Sequence, residues 1–255
     1  MRAPPPVHPA LRNARLREPR ARKIPWRRLL LIAGIVLLAV VGLTLWSLYR
    51  AARYVEPWYQ QAIAAQPSQQ QAHGQKMERR LLDLRNDVRQ PGRFEAVFTD
   101  EEINGWLAVD LPRKFPRTLP SEVREPRVAI HPDQVQLAFQ VESDSIAVVM
   151  HLALDVQLTD QPNVLAVRLH KAKAGMLPLP LDEWLEDIDT AAHGAGIPMR
   201  WTQQDGDPVA LITIPVQHPE YEAQQIHLDT IELREGTIYL AGRAEEGPRT
   251  PRRRY

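Results

Sequence analysis

Residues 29–48 read LLLIAGIVLLAVVGLTLWSL, twenty uncharged and mostly apolar side chains in a row. At about 1.5 Å per residue, a helix of that length reaches roughly 30 Å, the hydrocarbon thickness of a bilayer. A helix apolar on every face for about five turns and flanked by positive charge argues against a core helix. The run therefore predicts a transmembrane helix over 29–49, bounded by Arg27-Arg28 and Arg50. A cleaved signal peptide is the alternative. Its apolar region is usually about 7–15 residues and ends in a small-residue site. Here the run is longer, and Tyr49-Arg50 before Ala51-Ala52 makes a poor cleavage signal.

The flanking charges orient the helix. Residues 1–28 hold nine bases and one acid, net +8, whereas the remainder holds 23 bases and 30 acids, net −7. Basic residues beside a membrane stay cytoplasmic, so the N-terminus is expected inside and the C-terminal domain outside. Trp26 on one side, with Trp46, Tyr49, Tyr54, Trp58 and Tyr59 on the other, suits the two interfaces. Segment 1–28 is rich in Pro and Arg and poor in apolar residues, the composition of a disordered cytoplasmic arm that also attracts anionic lipid. A nucleic-acid-binding arm is the sharper alternative. The acidic balance of the main domain speaks against a nucleic-acid partner there.

The chain has no cysteine, so disulfides, thiolate metal sites and Cys nucleophiles are excluded. The 205 residues after Arg50 suffice for one sizeable domain held by its core.

Segment 50–91 reads as membrane-proximal and helical. Met77, Leu81, Leu84 and Val88 form one apolar stripe, for packing on the domain or for a short coiled coil. Pro67 and Gly74 are expected to interrupt any long helix, with 66–75 as a polar linker. An extracytoplasmic α+β domain is placed at 92–243. Phe94–Phe98 reads as a strand. Thr99 and Glu102 form a capping box that starts a helix ending near Leu111-Pro112. The period then becomes two, with strands at 128–131, 134–142, 146–158 and 164–173 that form an antiparallel meander with one apolar face. A helix over 181–192, a strand group including 209–216 and a hairpin over 226–241 follow. Residues 244–255 read as a disordered basic tail.

Three segments carry a resemblance: FTDEEINGWL at 98–107, GMLPLP at 175–180 and IELREGTIYLAG at 231–242. Together with the anchor and the meander, they resemble bacterial anchored envelope proteins of the YpmS-like and LmeA-like kind. That resemblance covers roughly 94–243. It implies a long curved sheet packed on helices, residence at the bacterial inner membrane with an extracytoplasmic domain, and a lipid ligand. It supplies no catalytic residue.

No catalytic motif is present: no His-Glu-x-x-His, no Gly-x-Ser-x-Gly, no phosphate loop and no dinucleotide fingerprint. His151 and Asp155 share a strand face but lie about 13 Å apart. His151 is expected to be solvated or cross-strand, and Asp155 to form a cross-strand link to a base such as His170, Lys171 or Lys173. Asp182, Glu183, Glu186, Asp187 and Asp189 read as a solvated acidic face, with a Ca²⁺ or Mg²⁺ site as the sharper alternative. His218, Glu220 and Tyr221 give no recognisable geometry. No cofactor, metal or catalytic residue is assigned. An enzyme would need a cleft in which several polar groups converge, for example His151, His170 and Asp155.

The expected function is therefore binding of lipid or another hydrophobe in an apolar groove lined by Phe139, Val141, Val148, Met150, Leu152, Leu154 and Leu169. If Trp106, Leu107 and the 181–192 helix fill that face, these residues are ordinary core. The alternative is a non-enzymatic scaffold with envelope-protein partners.

Overall fold

The computed structural model describes residues 26–116, 119–143, 146–180, 182–194, 196–214 and 224–246. The chain divides into two units, residues 1–46 and 47–255. Helix α1 (Trp26–Ala52) contains a stretch, Leu30–Ala52, long and apolar enough to cross a membrane as an anchor or a signal sequence. Within that stretch Leu31, Ile35, Leu38 and Leu45 are all exposed.

In the second unit, α2 (Pro57–Ile63) and α3 (Pro67–Asp87) each begin on a proline, where the missing N–H costs nothing. Pro67 separates the two helices as expected. Gly74 does not interrupt α3, and residues 67–75 are its first turns rather than a linker. The reason lies in a neighbouring helix, α4 (Asp100–Lys114). Gly74 is buried against Gly105, and a Cβ at Gly105 would meet Gln70 O at 2.5 Å and Gly74 N at 2.6 Å. The two glycines let the helix backbones touch.

Between α3 and α4 runs β1 (Gly92–Thr99). The Thr99–Glu102 capping box forms as read from the sequence. Glu102 is buried and takes an ion pair from Arg80 at 2.9 Å. Helix α4 does not stop at Pro112; it runs to Lys114. A proline in the last turn removes only one ladder bond. Phe115 N–H still donates to Leu111 O at 2.9 Å, and Lys114 pairs with Asp110 at 3.0 Å and with Glu78.

The large sheet follows: β2 (Val123–Ile130), β3 (Val135–Ser143), β4 (Ile146–Leu158), β5 (Val164–Ala174) and the short β6 (Leu177–Pro178). After α5 (Asp182–Gly194) come β7 (Met199–Gln204) and β8 (Asp207–Thr213). The strand order is β2-β3-β4-β5-β8-β7, with β6 beside β5 and every pair antiparallel. The meander and its one apolar face are those expected from the two-residue period. Strand β7 was not expected; MRWTQQ shows no sustained alternation. It is held by the β8 hairpin, whose turn residues Asp205 and Gly206 both take positive φ.

A second, three-stranded sheet has the order β1-β10-β9, with β9 (Gln224–Arg234) and β10 (Thr237–Glu246) as the C-terminal hairpin. Strand β10 extends past 243, correcting the boundary set there: Ala244 is buried and lies opposite both Gly92 and Ile226. The fold is α+β, with antiparallel sheets packed on helices.

Candidate functional site

The seven sequence-predicted groove residues lie on one face of the large sheet. Val148, Met150, Leu152 and Leu154 alternate along β4; Phe139 faces Met150, Val141 faces Val148, and Leu169 faces Leu154. Met150 and Leu169 are buried, whereas Phe139, Val141, Val148, Leu152 and Leu154 are only half-buried. Helix α5 packs on β7, at the sheet's edge. Trp106 meets the ring of Phe115 at 5.9 Å, at the end of its own helix.

An apolar cavity of about 460 Å³ lies at the far end of this face. Helix α3 supplies Leu81, Leu84 and Val88, the same stripe read from the sequence. The small sheet supplies Phe94, Ile226, Leu228, Ile231, Ile238 and Leu240, which alternate onto one face. Asn163, Leu165, Ile214 and Arg85 complete the wall. None of the seven predicted residues lines it. Leu165 nonetheless joins the two regions: it pairs with Leu158 across β4 and continues the alternation of Leu169 on β5. From Met150 to Leu158 the apolar face runs eight residues, about 26 Å at 3.3 Å each. The sequence signal for this cavity was the α3 stripe together with the Ile226–Leu240 alternation. Their meeting required the β1–β10 pairing.

Two asparagines brace the arrangement. Asn163, at φ 59°, accepts from Leu228 N at 2.8 Å and donates to Ile226 O at 2.8 Å. Asn104 accepts from Val128 N at 2.7 Å and donates to Val128 O at 2.8 Å. Each amide completes main-chain hydrogen bonding along an edge strand, as a neighbouring strand otherwise would.

The opposite face of the large sheet is polar. His170, at a bulge in β5, bridges Asp155 through Nε2 at 2.5 Å and Asp207 through Nδ1 at 3.0 Å. Arg168 clamps Asp207 at 2.8 Å and Asp205 at 3.3 Å. This is the cross-strand link expected of Asp155. The Arg168 guanidinium, the foremost influence, and the His170 ring hold the Asp207 carboxyl below its ordinary value.

His151 departs from expectation. It is 7% exposed rather than solvated, because α2 folds over it: the Trp58 and Tyr59 rings meet its ring edge-on at 6.3 and 6.2 Å. Among the described residues neither ring nitrogen has a hydrogen-bond partner, and burial lowers the pKa below the usual imidazole value. Tyr59 is itself the most buried large side chain. Its hydroxyl donates to Glu125 O at 2.9 Å, and burial, followed by the charge of Glu125, pushes its pKa up to about 12. His151 makes no hydrogen bond with His170 or Asp155, so the three do not converge.

A second cleft, about 350 Å³, lies among α2, α3, α4 and β2 and is lined in part by Trp58, His73, Asp100, Glu101 and Asn104. Burial, then a hydrogen bond with Glu101 and its charge, raises Asp100 to about 6. For Glu101 burial acts upward, but hydrogen bonds from Thr99, its own N–H and Asp100 bring the net shift below its ordinary value.

Among the described residues no three His, Asp or Glu side chains are grouped to hold a metal ion. His218, Glu220 and Tyr221, and the side chains of Asp182, Glu183 and Asp187, lie outside the described residues. No protein-family model matches the chain, and no curated protein is similar to it.

Proposed function

We propose that this protein is anchored in a membrane by α1 and holds the acyl part of a lipid, or a hydrophobe of similar shape, in its outer domain. The observation that carries the reading is the apolar cavity of about 460 Å³ whose Leu165 wall leads into the half-buried apolar face of β3, β4 and β5. Its volume falls in the range of small-molecule sites, about 300–1,000 Å³. Each methylene it takes from water contributes about 0.8 kcal/mol. The Arg-rich N-terminal segment supports a cytoplasmic N-terminus and an extracytoplasmic domain, at the inner membrane of a bacterium. A covalent tether holds such a site at the surface from which the lipid comes.

The test is photocrosslinking of the full-length protein, reconstituted in bilayers, with a lipid carrying a diazirine in its acyl chain. Mass spectrometry of the peptides is expected to find adducts on 81–94, 148–169 and 226–240. Adducts confined to 30–52 would mean that lipid meets the anchor alone. The reading would then give way to that of a tethered scaffold, which predicts retained protein partners instead.

A further inference from the structure

On the polar face of the large sheet, away from the apolar cavity, a small polar pocket of about 140 Å³ is lined by Gln134, Gln136, His151, Lys171, Lys173 and Glu56, with Leu152 and Ala153 of β4 between them. One water needs only about 10–15 Å³, so the space admits a tetrahedral ion. We infer that this pocket binds a phosphate-type oxyanion through Lys171, Lys173, the two glutamine amides and the His151 ring N–H.

Register builds the donor set. Gln136 faces Ala153, which faces Lys171; in the next row on that face, Ala138 faces His151, which faces Lys173. The two lysines therefore occupy adjacent rows of one sheet face on β5. Among the described residues no carboxylate is paired with either lysine. The part of the chain beyond residue 28 carries net −7, so two unpaired lysines in one pocket stand out against an acidic background.

His151 is the second, independent observation. It lines the pocket, is more than nine-tenths buried, and has no hydrogen-bond partner at either nitrogen among the described residues. A neutral imidazole always carries one N–H, and a buried donor calls for an acceptor. An anion oxygen in the pocket supplies it. Glu56 is the one acid in the wall, and its carboxylate is engaged by Trp58 Nε1 at 2.8 Å. With His151 neutral, the lysines and Glu56 leave a net single positive charge, which matches the monoanionic phosphate of a phosphodiester.

The pocket sits near the end of α1. Lys173 lies two residues before Gly175, and Met176 N donates to Ala51 O at 2.9 Å. Gly175 takes φ +59°, and a Cβ there would meet Ala51 O at 2.4 Å. Ala51 is three residues past the apolar run, about 4.5 Å along the helix. If α1 spans a membrane, lipid headgroups are at hand; free phosphate is the other source of the same chemistry.

The test is a titration of full-length protein in neutral detergent with inorganic phosphate, read by the imidazole ¹⁵N shifts of His151, which His151→Phe assigns. A saturable shift absent with chloride is expected. The Lys171→Gln/Lys173→Gln variant, checked for an unchanged melting temperature, is expected to bind about tenfold or more weakly, the worth of a charge-assisted hydrogen bond. Repeating the titration in nanodiscs, of phosphatidylcholine alone or mixed with phosphatidylglycerol, separates the sources. Loss of the phosphate response in either lipid identifies a headgroup as occupant; an unchanged response identifies a soluble phosphate. No saturable response in detergent, or one indifferent to the lysine substitutions, overturns the inference. An empty apolar cavity would leave it standing, because none of the residues that line the cavity of about 460 Å³ lines this pocket.

Discussion

The Asn163 side chain is hydrogen-bonded to the main chain of Leu228, accepting its N–H at 2.8 Å while donating to Ile226 O. One turn residue of the large sheet thus holds the edge strand of the small one. The other end is fixed by Gly236 N donating to Ile130 O at 2.8 Å. Between these two ties the small sheet lies across the end of the large one and closes the apolar cavity.

Asn163→Ala leaves the N–H of Leu228 and the carbonyl of Ile226 without this partner. A loss of about 1–3 kcal/mol in unfolding free energy is expected. Asn163→Gly keeps the positive φ without the amide, so it separates strain from hydrogen bonding. A denaturant titration of the two variants checks this; equal stability of Asn163→Gly and the parent would mean the amide contributes nothing.

Gly105→Ala places a methyl within 2.5 Å of Gln70 O, a main-chain atom that cannot turn aside. Separating α3 from α4 is expected to cost about 1–3 kcal/mol or more. Because α3 forms one wall of the cavity, the same variant is expected to lower the yield of acyl adducts on 81–94. Gly194→Ala is the control: nothing lies within 4 Å of its Cβ position. Thermal melts of both proteins decide it.

Acid acts on half-buried Asp100 and buried His151 in opposite directions. Asp100 is raised to about 6, so its charged form disfavours the fold, and stability should rise as pH falls through about 6. His151 is lowered by burial, so the unfolded chain takes up its proton first, and stability should fall once pH drops below the ordinary imidazole value of about 6.5. Asp100→Asn is therefore expected to melt at progressively lower temperature between about pH 7 and 5. His151→Phe is expected to show the reverse trend. Parallel pH–melting curves for the two variants would contradict both assignments.

Much of this architecture is legible in local sequence. The Thr99–Glu102 cap, the β3–β4–β5 meander and the β9–β10 hairpin follow from periodicity and turn chemistry, and each forms in place. Where the reading fails, a distant partner decides. Gly74 counts as a helix breaker by propensity, yet Gly105, from another helix, makes it a contact point. His151 belongs to the polar set of its strand, yet Trp58 and Tyr59 cover it. The predicted groove residues share the expected face, but the cavity lies beyond them, where α3 meets the small sheet.

The apolar span, the charge imbalance across it, the two faces of the large sheet and the amphipathic stripe of α3 are written in the order of residues alone. Those depend only on spacings of 2.0 and 3.6 residues and on which side chains water rejects. The pairing of β1 with β10, the closure of a cavity between that sheet and α3, and the shared pocket of Lys171, Lys173 and His151 arise only in the closed domain. Each of these joins residues far apart in the chain. No local propensity records such a pairing; it is selected by the burial and hydrogen bonds available once the whole domain has closed.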